Sequence, residues 1–191
     1  AGLRRARPSA KKIPGWFAEG WSRRPARIAF GEGATSPLRG EPHRIVHRAS
    51  ARGTVWIEAG ETGLLLCVAG KEQHLSRRLR DFFKSEAKRD LIAASRKYAA
   101  LLGVTIRSVS VRDTASRWGS CSYQGALSYS WRLILAPPFV LDYLAAHELA
   151  HRLELNHSKR YWKIVDGVFP ERKRAEIWLR ANGAQLHRYG A

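Results

Sequence analysis

The sequence is poor in cysteine and contains no long apolar run. Only Cys67 and Cys121 occur among 191 residues, and they lack CxxC spacing, which argues against a disulfide framework. No stretch approaches the roughly 20 apolar residues that a membrane-spanning helix needs. The basic residues of segment 1–15 are not followed by an apolar run, which is not the pattern of a secretory signal. These features predict a reducing, cytoplasmic setting without a membrane.

Acidic residues are also scarce relative to basic ones. Lys and Arg total 34 and Asp and Glu total 16, which gives a formal net charge of +18. A field of this sign attracts polyanions, so nucleic acid is a candidate partner. A generally basic, well-solvated surface explains the same composition, and charge alone does not choose between them.

The chain is predicted to consist of a basic N-terminal arm and one α+β domain. Residues 1–42 are rich in proline and basic residues, which predicts a partly ordered arm. We expect Trp16, Phe17 and Trp21 to dock part of this arm on the body, because large aromatic rings are costly to leave in water. Residues 43–70 contain short β-prone runs separated by glycines and predict a small antiparallel β meander.

Residues 72–185 are predicted to form the main core. Apolar residues at helical spacing predict one long helix over residues 72–102, and Gly103 is a natural end for it. Segments 104–111 and 127–135 are β-prone and predict two strands. Three further helices are predicted at Pro137 to Leu153, Ser158 to Val168, and Pro170 to about Gly183.

The clearest chemical signal is the segment His147-Glu148-Leu149-Ala150-His151. Residues four apart on a helix differ by about 40° around its axis, so both imidazoles project from one face and can share a metal ion. Glu148 is then expected to contact the metal-bound water, accept its proton as general base and pass it to a leaving group. The motif lies on a predicted amphipathic helix after a half-buried strand, which favours this interpretation over two unrelated surface histidines.

His157, six residues after His151, is the candidate for a third metal ligand. Catalytic zinc usually has three protein ligands and one open position. In a continuous helix His157 would lie about 9 Å further along the axis, so the helix must end before it. Asn156 is the residue best able to adopt the left-handed conformation of such a turn. The spacing equals that of metzincins, but Glu154 stands where their turn uses glycine, and His157 as a plain surface residue is the alternative.

Other side chains are assigned supporting roles or none. Three carboxylates are candidates for orienting the ligand imidazoles from behind: Glu154, Asp166 and Glu171. A surface charge is the simpler interpretation of each. Four histidines lack ligand spacing and are predicted to be ordinary: His43, His47, His74 and His187.

Substrate contacts are predicted near the strand of residues 127–135. We expect this strand to form a sheet edge with which an extended peptide can pair through its backbone. The residues predicted to contact substrate are Trp118, Tyr129 and Trp131. The candidates for a second group that stabilises the developing oxyanion are Arg117, Tyr129 and Tyr161.

Three motifs in one order give the chain a family resemblance. RWGSCS, HELAH and NHSKRYW follow one another between Arg117 and Trp162. This segment resembles the YgjP/SprT-like family of zinc-dependent metallopeptidases, closest to its YgjP-type members, over about residues 40–185. The resemblance implies a YgjP-like metallopeptidase domain over residues 43–191, with a minimal zincin-like core in which a small antiparallel sheet packs on the HExxH helix. It also implies one Zn²⁺ per chain held by His147, His151 and His157, catalytic Glu148, and an RWGSCS turn near the active site.

The predicted function is therefore a zinc-dependent metallopeptidase acting on a protein or peptide substrate. One alternative is a zinc-dependent hydrolase of a non-peptide substrate such as a nucleotide. Another is a nucleic-acid-binding protein or a protease of DNA-associated proteins, because SprT-like relatives include proteases that act on proteins attached to DNA. Imidazole ligands also accept manganese or cobalt, and the sequence indicates neither the metal uniquely nor an oligomeric state.

Overall fold

The computed structural model describes residues 27–114 and 116–190, which contain two small mixed sheets and four α-helices. The predicted α+β class is confirmed. The strands are β1 (Thr35–Leu38), β2 (Glu41–Arg48), β3 (Val55–Gly60), β4 (Gly63–Ala69), β5 (Ser108–Arg112), β6 (Gly119–Cys121) and β7 (Ala126–Ser130). The helices are α1 (Leu75–Leu102), α2 (Pro138–Ala150), α3 (Lys159–Val168) and α4 (Arg172–Leu186). Trp16, Phe17 and Trp21 lie outside the described residues, so their predicted docking stays a prediction.

The first sheet has the strand order β1-β2-β4-β3 and is not the antiparallel meander that was predicted. Its two outer pairs are antiparallel, but β2 and β4 run parallel, with Ile45 opposite Leu66. The physical reason lies in β4, where Leu66, Cys67 and Val68 are all fully buried. Strands buried on both faces are typical of parallel pairing, so the continuous apolar run of β4 suits its parallel contact with β2.

The predicted boundary at residue 42 falls inside this sheet. β1 and β2 form a hairpin, so residues 35–42 belong to the folded body. Upstream of it, Phe30 is 4% exposed in the core, and Ile28 forms a β-bridge with Tyr189 near the other end of the described chain. Residues 28–42 therefore belong to the folded body, and Phe30 and Leu38 reach its core.

The long helix predicted over residues 72–102 is confirmed. A short 3₁₀ turn precedes α1, and the helix ends at Gly103, whose φ of 65° is left-handed and favours glycine. One stripe of α1 faces the core. Phe83 in this stripe stacks on Trp131 with ring centroids 6.0 Å apart and lies 5.2 Å from the ring of Phe30. These three rings join the helix, the N-terminal segment and the second sheet.

The second sheet has the order β5-β7-β6, so β7 is central. β7 is parallel to β5 and antiparallel to β6, so the predicted all-antiparallel sheet is wrong for one pair. The predicted strand over residues 127–135 is also too long, since Trp131–Leu135 forms a 3₁₀ turn. All five residues of that turn are buried, which does not suit a strand with one polar face. Ser130 starts the turn by accepting a hydrogen bond from the Arg132 amide.

The three C-terminal helices lie close to their predicted positions. α2 ends at Ala150, three residues earlier than predicted, and the Ser158 hydroxyl caps α3 by accepting the Tyr161 amide proton. α4 continues past Gly183 to the buried Leu186, so Gly183 does not end the helix. It instead faces the Trp118 ring, 3.3 Å from where a Cβ would lie. Among the described residues, no helix has both the length and the apolarity that crossing a bilayer requires.

Removal of the Phe83 ring should destabilise the fold strongly. We expect Phe83→Ala to lower the free energy of unfolding by about 3–5 kcal/mol, because the ring is fully buried between two aromatic neighbours. Phe82→Ala is the matched control, since the adjacent ring is only partly buried. Urea titration followed by tryptophan fluorescence measures both values, and equal losses would contradict the assigned role of the aromatic cluster.

Candidate metal centre

The HExxH segment occupies the last turn of α2, a helix buried on nearly every face. Ten of its 13 residues are buried, and His147 and Glu148 are only 4% and 6% exposed. Burial lowers the pKa of His147 well below its ordinary value, and the charges of neighbouring His151 and His157 act in the same direction. The neutral imidazole is therefore favoured, which is the form that binds metal ions.

Three imidazoles converge at this point. His147, His151 and His157 each offer a ring nitrogen, and these atoms all lie within 4.8 Å of one another. The Nε2 atoms of His147 and His157 are 3.3 Å apart. In the described parts of the chain, this is the one group of three or more metal-binding side chains close enough to hold a single ion. Among the described residues, His43, His47, His74 and His187 do not belong to this group.

The turn after α2 delivers His157 to this point without a left-handed residue. Arg152 and Leu153 donate their amides to the carbonyls of Leu149 and Ala150, which tightens the end of the helix. Asn156 has no positive φ, so its predicted left-handed conformation is wrong. The turn is closed by hydrogen bonds between residues three apart. A glycine at the position of Glu154 is consequently not needed.

In His147 and His151, the Nδ1 atom has a hydrogen-bond partner on the side of the ring that faces away from the centre. The Nδ1 of His151 donates to the carbonyl of Glu154 over 3.2 Å. The Nδ1 of His147 lies 3.3 Å from the hydroxyl oxygen of Tyr143. That hydroxyl donates to Glu176 over 3.1 Å, so its oxygen is left to accept from His147. Both rings then keep the Nε2 lone pair for a metal ion, and the donor set fits a divalent cation such as zinc.

Three residues around the centre were not identified from the sequence. Glu176 accepts from Tyr143 and pairs with Arg172, whose guanidinium also lies 4.5 Å from the Trp162 ring centroid. Trp162 stacks on His157 with ring centroids 5.4 Å apart. The spacing of four between Arg172 and Glu176 was a visible signal of a helical ion pair. Nothing in the sequence indicated that this pair faces α2.

The three carboxylates for which a surface charge was the simpler interpretation have different partners. Glu154 contributes its backbone carbonyl and not its side chain. Asp166 accepts two hydrogen bonds from Arg172 and is thus one step further from the ligands. Glu171 pairs with the exposed side chain of Arg174 and does not contact the centre.

The strand of the RWGSCS motif lies directly against Glu148. A Cβ on Gly119 would lie 2.6 Å from Glu148 Oε1 and 2.8 Å from its Cγ, so only glycine leaves room for the carboxylate. Gly119 begins β6, which pairs with β7 on one side. No other described strand pairs with β6, so its second side is a free edge. This places a sheet edge beside the predicted general base.

The predicted substrate edge and two predicted substrate contacts need correction. Residues 127–130 form the central strand, so their backbone is already paired on both sides. Trp131 is fully buried in the aromatic cluster. Tyr129 is 1% exposed and its hydroxyl bonds to Ser95, which also leaves it unable to reach an oxyanion. A substrate role for either ring is wrong, because both are enclosed by the core.

Three further residues were predicted to contact substrate or to stabilise the oxyanion: Trp118, Tyr161 and Arg117. Trp118 is buried, and its ring packs 4.6 Å from the His187 ring, whose pKa is lowered to about 4 by burial and by Arg132. The Tyr161 hydroxyl is buried and donates to the carbonyl of His147 over 2.8 Å, which removes it as an oxyanion donor. Arg117 is exposed, so its predicted role stays open.

Comparison with known proteins supplies the family. A profile described as YgjP-like, metallopeptidase domain, matches residues 11–182. The crystal structure of the metallopeptidase zymogen abylysin of Pyrococcus abyssi is similar at 25% identity and a TM-score of 0.44, over 52% of this chain and 97% of that chain. No curated protein matches the sequence. The profile match starts well before residue 40 and covers most of the sequence, so the chain belongs to the YgjP-like family of metal-dependent peptidases.

Proposed function

We propose that the chain is a zinc-dependent peptidase in which His147, His151 and His157 hold the ion and Glu148 is the general base. The observation that carries this proposal is the convergence of three imidazole nitrogens within 4.8 Å beside a buried glutamate. Three protein nitrogens with one position open is the usual donor set of catalytic zinc. Manganese prefers carboxylate and carbonyl oxygens, which this centre does not offer.

The side chains divide the chemistry between them. Zinc, when bound, would polarise the scissile carbonyl and lower the pKa of the attacking water. Glu148 accepts the proton from that water and delivers it to the departing amine nitrogen. The burial of Glu148 keeps bulk solvent from competing for this proton. The pairs behind His147 and His151 hold the proton of each imidazole on Nδ1 and orient both rings towards the centre.

The free edge of β6 supports a polypeptide substrate rather than a nucleotide. Trp118 O and Ser122 N bond towards β7, so the backbone groups of the intervening odd positions point the other way. Gly119 therefore presents its N–H and C=O groups to an added strand. An extended peptide paired there passes next to Glu148, since Gly119 touches its carboxylate. A nucleotide has no backbone that satisfies such an edge.

A cytoplasmic setting also belongs to this proposal. Cys67 is buried and Cys121 is half-buried, and neither forms a disulfide. Free thiols persist where glutathione keeps them reduced.

Glu148→Gln should separate metal binding from hydrolysis. The amide keeps the size of the side chain but cannot accept a proton, so we expect full zinc content and a fall in peptide hydrolysis of at least about 100-fold. Zinc analysis and a casein or fluorogenic peptide assay measure the two properties. Glu171→Gln, the same change at an exposed ion pair, is the control. Retained hydrolysis in Glu148→Gln would remove this residue from the mechanism.

His157→Ala should weaken zinc binding by more than about 100-fold, because it removes one of three protein donors, and even outer partners of such ligands contribute 10–100-fold. Competition with a chromophoric chelator gives the dissociation constant. His74→Ala, which changes a histidine in the turn before α1, should bind zinc as the native chain does. An unaltered affinity after loss of His157 would show that the third ligand is misassigned.

Gly119→Ala should impair turnover while zinc binding is retained. The added methyl group overlaps the Glu148 carboxylate, which must move because α2 is too tightly packed to shift. We expect kcat to fall by about 10-fold or more. Gly167→Ala is the matched control, since a Cβ there meets no atom within 4 Å. Native turnover in Gly119→Ala would mean that Glu148 tolerates displacement.

A further inference from the structure

Arg172 lies at the start of α4, where two series of side-chain contacts that lead to the metal centre meet. Each series is called a chain below. Its side chain is only 14% exposed. The guanidinium donates to both oxygens of Asp166 on α3, over 2.6 and 3.1 Å, and to both oxygens of Glu176, over 3.0 and 3.1 Å. The bidentate pair with Asp166, and the third nitrogen shared between the two Glu176 oxygens, leave the planar guanidinium little freedom to rotate. Arg172 is therefore a fixed point from which other groups can be aligned.

The first chain runs from Arg172 to His147. Glu176, held by Arg172, accepts the hydroxyl proton of Tyr143 over 3.1 Å. This fixes the Tyr143 oxygen as an acceptor for the Nδ1–H of His147, 3.3 Å away. Without Glu176 the hydroxyl could turn and donate to Nδ1 instead. The order of donors along the chain thus selects the tautomer of His147 whose Nε2 lone pair faces the other imidazoles.

The second chain runs from Arg172 to His157. The guanidinium carbon lies 4.5 Å from the centroid of the Trp162 ring, and that ring stacks on His157 at an interplanar angle of 28°. His157 lies in the turn before α3 and not in a helix. Its ring is held by packing against Trp162 and Tyr161. Arg172 packs on the same Trp162 ring and so supports this arrangement.

We propose that Arg172 is a positioning residue that aligns two metal ligands at once, His147 through Glu176 and Tyr143, and His157 through Trp162. This inference rests on the proposed metal-binding function of the three histidines. It predicts that Arg172 contributes to zinc affinity although it is two or more side chains away from the centre. A merely structural role, in which Arg172 only ties α3 to α4, would contribute to stability and leave zinc affinity unchanged.

The test measures the zinc dissociation constant by chelator competition, together with the thermal midpoint of the zinc-free protein. Tyr143→Phe removes one hydroxyl and keeps the packing, and we expect it to weaken zinc binding about 10-fold. Arg172→Gln should weaken it about 10–100-fold, because both chains lose their anchor. Arg174→Gln is the control, since that arginine lies on the same helix and is 62% exposed. It should keep native zinc affinity.

A double-variant cycle tests whether Arg172 acts through Tyr143. Arg172→Gln combined with Tyr143→Phe should lose less affinity than the product of the two single losses, because one of the two chains is already broken. Zinc affinities within twofold of native in Arg172→Gln and Tyr143→Phe, whatever their thermal midpoints, would overturn the inference. If Arg172→Gln does not fold, Tyr143→Phe decides the first chain and Trp162→Leu the second, each by its zinc affinity.

Failure of this inference is distinguishable from failure of the proposed function. If His157→Ala weakens zinc binding and these outer variants do not, only the positioning role is wrong. If neither His157→Ala nor the outer variants alter zinc binding, the metal centre itself is misassigned.

Discussion

The enclosure of α2 is the constraint on which the rest of the structure depends. A helix buried on nearly every face has to carry His147 and Glu148 inward, where a polar group without partners costs free energy. Each neighbouring element supplies a partner or space for one of these polar groups. Helix α4 provides the carboxylate of Glu176 behind Tyr143, α3 provides Tyr161 for the carbonyl of His147, and β6 leaves room for the Glu148 carboxylate. The candidate metal centre thus occupies the polar interior of a set of packed helices.

How much was predictable from the sequence depends on whether a feature is local. The pairing of His147 with His151 follows from helix periodicity, and Ser158 and Gly103 marked helix ends through their own backbone chemistry. Sheet order is not local. The parallel contact between β2 and β4, and the central position of β7, depend on which strand has both faces buried. Sequence pattern alone does not show a second covering layer.

The same distinction applies within the site. The three histidines could be proposed from their spacing, whereas Glu176 and Trp162 contact their partners across helix interfaces that no spacing indicates. Aromatic residues next to the motif were taken for substrate contacts because large rings suit binding surfaces. Trp131 and Tyr129 instead lie in the core, where their large rings fill space between the packed elements. Asn156 shows the converse, since a residue able to turn the chain is not required to do so.

The C-terminal segment of residues 187–190 links distant parts of this arrangement. His187 packs on the Trp118 ring, one residue before Gly119, while Gly190 donates its amide to Ile28 and lies against the rings of Phe30 and Trp131. Residues 187–190 therefore connect the strand beside Glu148 with the segment around Phe30. Loss of the His187 ring would remove a packing partner of Trp118, the residue that precedes the glycine lying against the Glu148 carboxylate.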